Sequence, residues 1–544
     1  MTCSLQEIFP QMAHVTLYQQ RTFLKTDSPL TQTVSRISSS SSTPSASASS
    51  PSTAQSTSSE DGASPLPFSA IPGPRGVAQW PVLGAVMLFK PFTKFTPATA
   101  HQMLDNLFEQ YGSIVRCQLK GTMVLVRDIK DVETVFRNEG VYPVRPSLQL
   151  PIQFAKRNRV KDGFNEVQGE KWHKLRAPLA KRLARVNSAT YYMRDQNAVA
   201  DDFRDILESG EHMTPEEMSD IFFRFTAESI GVVCFNTRLG FLDADLSNRP
   251  GAVEYLKASK ALFRLLHDEI RGHSILHGLY RNKTYRNFEK TQLTLRQYSG
   301  QELQKAGNLL KQRQQSGTFD PEEPNLLFSL LSDPNLDFED IRNLMNTLYV
   351  AGTDSTAKSL QVFFYNLATN LEKQENLYKE IIEVIGPDQA LTPEALARMP
   401  YLKAAMKESF RMMFPNMGIS RFMPKDVVLS GYLVPAGTQI LICSISVSKA
   451  YFDNPHQYIP ERWLRSEDGK RLDSTIHPMA ALPFGYGPRN CIGRRFAEQE
   501  MYIATVKILQ KLKIGVKPES EGMRFTYSVF VEPEKPIAFT FSKR

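Results

Sequence analysis

Cys491 stands in a segment whose residue types and spacing suit a reactive thiolate, Phe484-Gly-Tyr-Gly-Pro-Arg-Asn-Cys-Ile-Gly493. A run that predicts a helix, Arg494 to Leu512, follows directly. A cysteine at a helix N-terminus faces free backbone N–H groups and the positive end of the helix dipole, which lower the pKa of a thiol. Glycines let the backbone approach a flat ligand, and Arg489 offers a forked cation to its anionic edge. We therefore expect Cys491 to be a thiolate ligand of haem iron. A buried, unreactive cysteine is the alternative.

The fixed positions F-x-x-G-x-R-x-C-x-G favour the first interpretation, because five residues must coincide. The segment resembles the haem-binding loop of the cytochrome P450 family, with every defining position in place. The resemblance covers about Ile71 to Arg544. It implies a mainly α-helical single domain with small peripheral β-sheets, in which the haem lies between a long distal helix and the Cys491 loop with its proximal helix. The implied cofactor is haem b, iron protoporphyrin IX.

A second motif, Trp172-x-x-x-Arg176, would place both side chains on one face of a helix. Haem carries two propionates, and their burial requires paired donors. Alone, this spacing is usually a surface arrangement, but beside Cys491 it resembles the propionate-binding helix of the family. The resemblance gives the full cofactor-binding set as Trp172, Arg176, Arg421, Phe484, Arg489, Cys491 and Gly493.

Glu408 and Arg411 form E-x-x-R, a pattern that also arises as an ordinary surface salt bridge. With Arg462, in Pro460-Glu-Arg-Trp463, they resemble the buried Glu-Arg-Arg network of the family. A half-satisfied buried charge network is strongly destabilising. We therefore expect the loss of any one member to prevent haem incorporation.

Asp337 to Asn370 predicts one long helix that Asp337 caps, with Ala351-Gly-Thr-Asp-Ser-Thr356 at its middle. Hydroxyl side chains after a glycine compete for backbone carbonyls and can open a helix locally. Two separate helices are the alternative. The resemblance implies the kinked helix that crosses the distal face of the haem, with Asp354, Ser355 and Thr356 as the catalytic proton relay.

Ser355 departs from the family pattern, which usually has threonine after the acid. A serine hydroxyl still donates a hydrogen bond, but it lacks the β-methyl that restrains χ1. We expect oxygen activation to be retained and peroxide leakage to be greater than in a typical member.

Lysines and arginines near Cys491 indicate a redox partner. Tyr401-Leu-Lys-Ala-Ala-Met-Lys-Glu-Ser-Phe-Arg411 resembles the ferredoxin-docking helix of the mitochondrial branch, and Arg494-Arg-Phe-Ala-Glu-Gln-Glu500 resembles its continuation after the cysteine. A solvated helix face is the alternative for such lysines. An acidic ferredoxin would be attracted to the predicted docking residues with strong salt dependence. These residues are Lys403, Lys407, Arg494 and Arg495.

Residues 1–70 differ from the rest of the chain. Serine supplies 14 of the 30 residues from Thr31 to Glu60, and such a segment cannot offset its ordering entropy by burial. This Ser-rich, acid-poor leader is typical of a mitochondrial transit peptide, with a plain disordered tail as the alternative. Residues 71–544 are the predicted monooxygenase domain.

No apolar run reaches the 18 or so residues that span a bilayer. We expect the protein to be located on the matrix side of the inner mitochondrial membrane, with the endoplasmic reticulum membrane as the alternative location.

Composition narrows the class of protein. The chain has 544 residues, a net charge of +8 and a hydrophobic content of 41%, which is ordinary for a globular protein. Its five cysteines have no paired spacing, which argues against a disulfide framework or a zinc cluster. Nothing resembles a nucleic-acid-binding module.

Helical periodicity dominates after Thr99. Predicted helices are Ala100–Tyr111, Asn187–Glu208, Thr214–Cys234, Tyr255–Arg271, Thr284–Gln315, Asp337–Asn370, Leu371–Ile385 and Met399–Phe414. Predicted strands are Ile114–Leu119, Met123–Val126, Val427–Val434, Thr438–Ile442 and Ile537–Phe541.

Together, these patterns predict a monooxygenase that inserts one atom of O2 into a lipophilic substrate, a sterol, a steroid-like compound or a xenobiotic. Electrons would come from NADPH through a ferredoxin reductase and a ferredoxin. The resemblance places the pocket at Leu348–Thr356, Asn416–Ser420, Ser528–Phe530 and Pro146–Phe164. Tyr255–His277 would rest on a membrane surface, with an exposed amphipathic helix as the alternative. The rival functions are a haem-thiolate isomerase or dehydratase of lipid peroxides and a non-catalytic haem sensor.

Overall fold

The computed structural model describes residues 64–80, 83–119, 121–183, 188–246, 249–270, 280–465 and 475–544. Helices dominate these residues, as the sequence predicts. In chain order they are α1 Leu83–Met87, α2 Ala100–Tyr111, α3 Ile129–Asn138, α4 Gln149–Asn158, α5 Gly169–Leu183, α6 Met193–Ser209, α7 Pro215–Phe235, α8 Pro250–Ile270, α9 Lys283–Gln315, α10 Leu326–Leu331, α11 Phe338–Ala368, α12 Leu371–Ile385, α13 Pro393–Ala397, α14 Pro400–Met412, α15 Ser444–Tyr451 and α16 Arg494–Lys511.

The strands are short and form four small sheets among the described residues. They are β1 Ile114–Gln118, β2 Thr122–Val126, β3 Ile419–Phe422, β4 Val427–Leu429, β5 Tyr432–Val434, β6 Gln439–Ile442, β7 Leu512–Val516, β8 Phe525–Tyr527, β9 Val531–Pro533 and β10 Phe539–Lys543. The largest sheet has the order β1-β2-β6-β3, in which β2 and β6 are parallel and the other pairs are antiparallel. The pairs β4–β5, β7–β10 and β8–β9 are antiparallel.

Helix α11 is one continuous helix in the middle of the largest core cluster, so the alternative of two separate helices is wrong. The Asp337 side chain accepts a hydrogen bond from the Asp340 N–H at 2.9 Å, which fixes the start of the helix. The hydroxyls of Thr353 and Ser355 donate to the carbonyls of Tyr349 and Ala351, four residues back, instead of ending the helix. Burial of most of its surface therefore overrides the local signals that could have split it.

The mainly α-helical fold class is confirmed, and most predicted elements lie within a few residues of their observed bounds. One predicted strand, Val427–Val434, is instead the hairpin of β4 and β5. Ser430 and Gly431 turn the chain there with φ of 47° and 82°, a backbone region that favours glycine. The predicted helix Asn187–Glu208 begins at Met193, after a 3-10 turn at Thr190–Tyr192.

The predicted leader falls mostly on residues 1–63, which lie outside the described residues, as do residues 271–277 of the predicted membrane run. Leu66 already pairs with the β5 region: its N–H donates to Gly431 at 2.9 Å, and its carbonyl accepts from Leu433 at 2.8 Å. Leu66, which precedes the predicted boundary at 70/71, thus contacts the β4–β5 hairpin. Within the described ranges, every helix is too short or too polar to cross a bilayer.

Candidate functional site

The Cys491 loop is held by backbone hydrogen bonds just before α16. The Cys491 N–H donates to the Phe484 carbonyl at 2.8 Å, and the Asn490 N–H donates to the Gly487 carbonyl at 3.1 Å. Gly485 and Gly487 have φ of 73° and 71°. The positive φ of Gly487 favours glycine, and a Cβ there would also lie 2.1 Å from Oε1 of Glu139, which would have to move.

Burial raises the pKa of the Cys491 thiol, which corrects the expectation that the helix N-terminus lowers it. The Gly493 N–H and the cations of Arg176 and Arg494 act in the expected direction, but desolvation outweighs them. Cys491 nevertheless retains an exposed surface. A metal bound at this position would offset the shift, because a metal deprotonates a coordinating thiol.

Arg489 is buried behind this loop with too few partners. Its Nε donates to the Pro143 carbonyl at 2.9 Å and its Nη2 to Oε1 of Gln168 at 2.7 Å. Its guanidinium carbon lies 3.7 Å from the ring centroid of Trp172, itself only 1% exposed. The buried Nη1 has no hydrogen-bond partner within the described residues. An unsatisfied buried N–H group indicates an acceptor that completes the site.

Further guanidinium groups gather around Arg489. Burial, followed by the charges of Arg145, Arg421 and Arg176, lowers the pKa of Arg489 to about 9. Arg176 donates to the Asn490 carbonyl at 2.9 Å, next to Cys491. Arg421 pairs with Glu139, whose pKa burial raises while Arg421 opposes the shift.

The arginine cluster of Arg145, Arg176, Arg421 and Arg489 faces two carboxylates, Glu139 and Glu166. Glu166 interacts with Arg145, and burial raises the pKa of its carboxyl to about 7. The guanidinium groups outnumber these two carboxylates, and this excess of positive charge would suit the anionic propionates of haem. The residues present therefore fit the cofactor, by charge and by the free Nη1 of Arg489.

Sequence reasoning missed three residues of this region. Arg145 belongs to the arginine cluster, Glu139 pairs with Arg421, and Gln168 holds both Arg489 and the Arg145 backbone. The one available signal was Arg145 between two prolines, in Pro143-Val-Arg-Pro146, which fixes an extended backbone. No sequence motif around Glu139 or Gln168 indicated their roles, because their partners Arg421 and Arg489 are distant in sequence.

The three residues of the predicted proton relay point in different directions. Ser355 donates from Oγ to the Ala351 carbonyl at 2.6 Å, and both positions remain accessible although their helix is largely buried. Asp354 is buried, with Oδ2 at 3.0 Å from Nζ of Lys358. Burial raises the pKa of Asp354, and Lys358 opposes this shift.

Thr356 lies against Glu500 of α16, in the protein interior. The Glu500 carboxyl is buried between the hydroxyls of Ser229 and Thr356, and burial raises its pKa well above the ordinary range while those hydrogen bonds oppose it. Thr356 therefore connects α11 with α16, and only Ser355 of the two hydroxyl residues occupies the accessible side of α11.

The structure brings Glu408, Arg411 and Arg462 together. Arg411 forms a two-pronged ion pair with Glu408, with both N–O distances at 2.9 Å, and Arg462 Nε lies 3.1 Å from Glu408 Oε1. The indole of Trp463 donates to Glu408 Oε2 at 2.8 Å. Arg411 also donates to two backbone carbonyls, so every charge of the network has several partners.

The predicted docking residues lie on α14 and at the start of α16, and both helices pack against α12. Lys407, Arg494 and Arg495 are exposed, and Arg494 pairs with Glu498 at 3.0 Å. Lys403 is half-buried; desolvation lowers its pKa, and Glu380 partly opposes this.

Comparison with known proteins gives a consistent result. The sequence profile of the family described as Cytochrome P450 matches residues 74–541. The chain is 31% identical over 501 residues to the probable cytochrome P450 12e1, mitochondrial, of Drosophila melanogaster, which covers 88% of this chain and 93% of the relative. It is 28% identical over 486 residues to the human cholesterol side-chain cleavage enzyme, mitochondrial, with coverages of 88% and 90%.

Proposed function

Since this chain belongs to the cytochrome P450 family, we propose that it inserts one oxygen atom from O2 into a sterol, steroid-like or xenobiotic substrate. Membership makes the chain a monooxygenase whose cofactor is thiolate-ligated haem. The observation that carries the proposal is the site behind Cys491, where an exposed cysteine lies beside guanidinium groups that outnumber the nearby carboxylates, one of them with an unpartnered N–H.

Cys491 is the proposed axial ligand. The bound haem would supply the chemistry of O2 activation, and a thiolate ligand favours O–O cleavage. Trp172 and the arginine cluster would hold the propionates, since Arg489 is already pinned by Pro143 and Gln168 with one N–H free. Gly487 allows the loop to lie close to Glu139. The Phe484 carbonyl accepts the hydrogen bond from the Cys491 N–H.

Ser355 and Asp354 are the proposed proton carriers on the distal side. The Ser355 hydroxyl lies on the accessible side of α11 and can turn from the Ala351 carbonyl to a ligand or water. Because burial raises the pKa of Asp354, its carboxyl holds a proton more readily than an ordinary aspartate. Thr356 has a supporting role in this proposal, because its hydroxyl is engaged with Glu500.

The proposed electron donor is a ferredoxin that receives electrons from NADPH through its reductase. Exposed Lys407, Arg494 and Arg495 support docking of an acidic protein near the Cys491 loop. Relatives with mitochondrial in their names support a mitochondrial location, and we propose the matrix side of the inner membrane with peripheral membrane contact. The sterol proposal is supported by the name of the human relative.

Reconstitution tests this function. The purified protein would be screened against sterols and xenobiotics for a low- to high-spin shift, then combined with an adrenodoxin-like ferredoxin, its reductase, NADPH and labelled O2. We expect one labelled oxygen atom in the product, and a far-red-shifted Soret band of the ferrous carbon monoxide complex that is lost in Cys491→Ala. Turnover of a lipid hydroperoxide without reductant would instead favour an isomerase or dehydratase.

A further inference from the structure

Lys358 lies one helical turn after Asp354 on α11 and contacts two carboxylates. Its Nζ is 3.0 Å from Oδ2 of Asp354 and 2.9 Å from Oε2 of Glu532. The Lys358 side chain is only 18% exposed, so water does not screen these contacts as it screens surface pairs. Lys358 is therefore shared between the proposed proton donor and a residue of another element.

Glu532 belongs to β9, in the hairpin of β8 and β9 near the C-terminus. The turn of this hairpin, residues 528–530, is one of the proposed pocket segments. Phe530 at its end contacts Phe263 of α8, with ring centroids 5.5 Å apart. Glu532 follows Phe530 by two residues in this hairpin, so the chain links the position of the turn to that of Glu532.

The charges around Asp354 come from three elements. Burial raises the pKa of Asp354; Lys358 lowers it, Glu532 on β9 raises it, and Lys260 on α8 lowers it. Lys260 itself pairs with Asp220 of α7 and is repelled by Arg264. The two carboxylates raise the pKa of Lys358 despite its burial, so Lys358 remains the cation of the group.

We propose that Lys358 is a positioning residue that couples the position of the β8–β9 turn to proton supply by Asp354. When Glu532 draws Lys358 towards β9, Asp354 keeps a proton that it can supply to the reaction. When Glu532 withdraws, Lys358 holds Asp354 as a carboxylate. No electrons move, and Lys358 keeps its proton throughout. This inference rests on the proposed role of Asp354 in the monooxygenase reaction.

The test uses two variants for which opposite effects are expected. Infrared spectroscopy of the haem-loaded protein would follow the protonated carboxyl of Asp354 through pH, with the band assigned by its loss in Asp354→Asn. Glu532→Gln should move the titration to lower pH, and Lys358→Met should move it to higher pH. Lys358→Arg should restore the wild-type position. Shifts in the same direction in both variants, or none, would overturn the inference.

Two further variants complete the design. Phe530→Ala touches neither Asp354 nor Lys358, yet it should shift the Asp354 titration, and the shift should vanish in the Glu532→Gln background. A shift that persists there would contradict coupling through Glu532. Lys373→Met is the matched control, because Lys373 also lies between two carboxylates, Glu461 at 3.1 Å and Glu372 at 3.6 Å, and has similar exposure. It should leave the titration unchanged.

Product formed per electron distinguishes this inference from the proposed function. Asp354→Asn should lower it, because the proton supply is lost, and Lys358→Met should lie between that variant and wild type. If the titrations shift as expected but Asp354→Asn is fully coupled, the role of Asp354 fails while the Lys358 contact stands. If Asp354→Asn is uncoupled but the titrations do not move, the Lys358 inference alone fails.

Discussion

Arg489 stacks on Trp172, with its guanidinium carbon 3.7 Å from the ring centroid, and both side chains are buried. Two residues more than 300 positions apart are thereby joined where a propionate would bind. A desolvated cation–π contact of this kind contributes about 2 kcal/mol. The stack orients Arg489 so that its remaining Nη1 stays available.

Trp172→Ala should destabilise the protein by about 3–5 kcal/mol, because it leaves a cavity and a buried cation without its ring. Trp172→Phe keeps an aromatic face but lacks the indole N–H. We expect this second variant to unfold in urea much like wild type but to lose haem faster to a haem acceptor. Equal haem loss in Trp172→Phe and wild type would show that the indole N–H does not hold a propionate.

Ser355→Ala should release more peroxide per NADPH than wild type. Of Ser355 and Thr356, Ser355 alone has its hydroxyl on the accessible side of α11, and the substitution removes it. Ser355→Thr should release less, since its β-methyl restrains χ1. Peroxide and product would be measured at a saturating substrate concentration. The same coupling in both variants would remove Ser355 from the mechanism.

Glu408→Gln should destabilise the fold by about 3–5 kcal/mol, since it leaves Arg411 and Arg462 as buried cations without their carboxylate. We expect little haem in the purified variant, and urea unfolding would measure the stability of any folded fraction. Arg137→Gln is the control, because Arg137 pairs with Glu133 on the surface at 74% exposure and such pairs contribute about 0–1 kcal/mol. Wild-type stability in Glu408→Gln would contradict a buried network.

Glu500→Gln should make stability less dependent on pH. Burial raises the folded-state pKa of Glu500 well above its ordinary value of 4.5, so the native state holds a proton that the unfolded state releases. The stabilising proton is present at low pH, and its contribution is lost as pH rises from 4.5 through the folded-state pKa. Across that window wild type should lose about 1.4 kcal/mol per pH unit relative to Glu500→Gln. Parallel urea-unfolding curves from pH 5 to pH 8 would contradict a neutral Glu500.

Lys407→Gln combined with Arg495→Gln should raise the KM for ferredoxin by about tenfold at low salt and less at high salt, because exposed charges are screened. The turnover rate at saturating ferredoxin should change little. Lys425→Gln is the control, since Lys425 is exposed in the turn between β3 and β4. An equal effect of both changes would indicate unspecific attraction by net charge.

The sequence alone predicted the helical elements with distinct periodicity, such as α2 and α12, whose bounds were found as predicted. The motif around Cys491 and the Glu408–Arg411 pair could also be recognised in the sequence, because the residues of each lie within ten positions of one another. The sequence did not predict that the pKa of Cys491 is raised, since the burial of this residue depends on residues far along the chain. The hairpin at Ser430 was missed because its turn has Ser-Gly in place of Asn-Gly or Asp-Gly, the pairs that mark a two-residue hairpin most strongly.

Local spacing thus determined the family, the thiolate candidate and the order of helices, because these depend on neighbours within one or two helical turns. Tertiary structure decided which charges face each other. Arg145 joins the arginine cluster, Thr356 turns inward to Glu500, and Lys358 connects Asp354 to Glu532 only once distant elements pack together. Electrostatic energy depends on distance and burial in space, and neither quantity is encoded in the separation of residues along the chain.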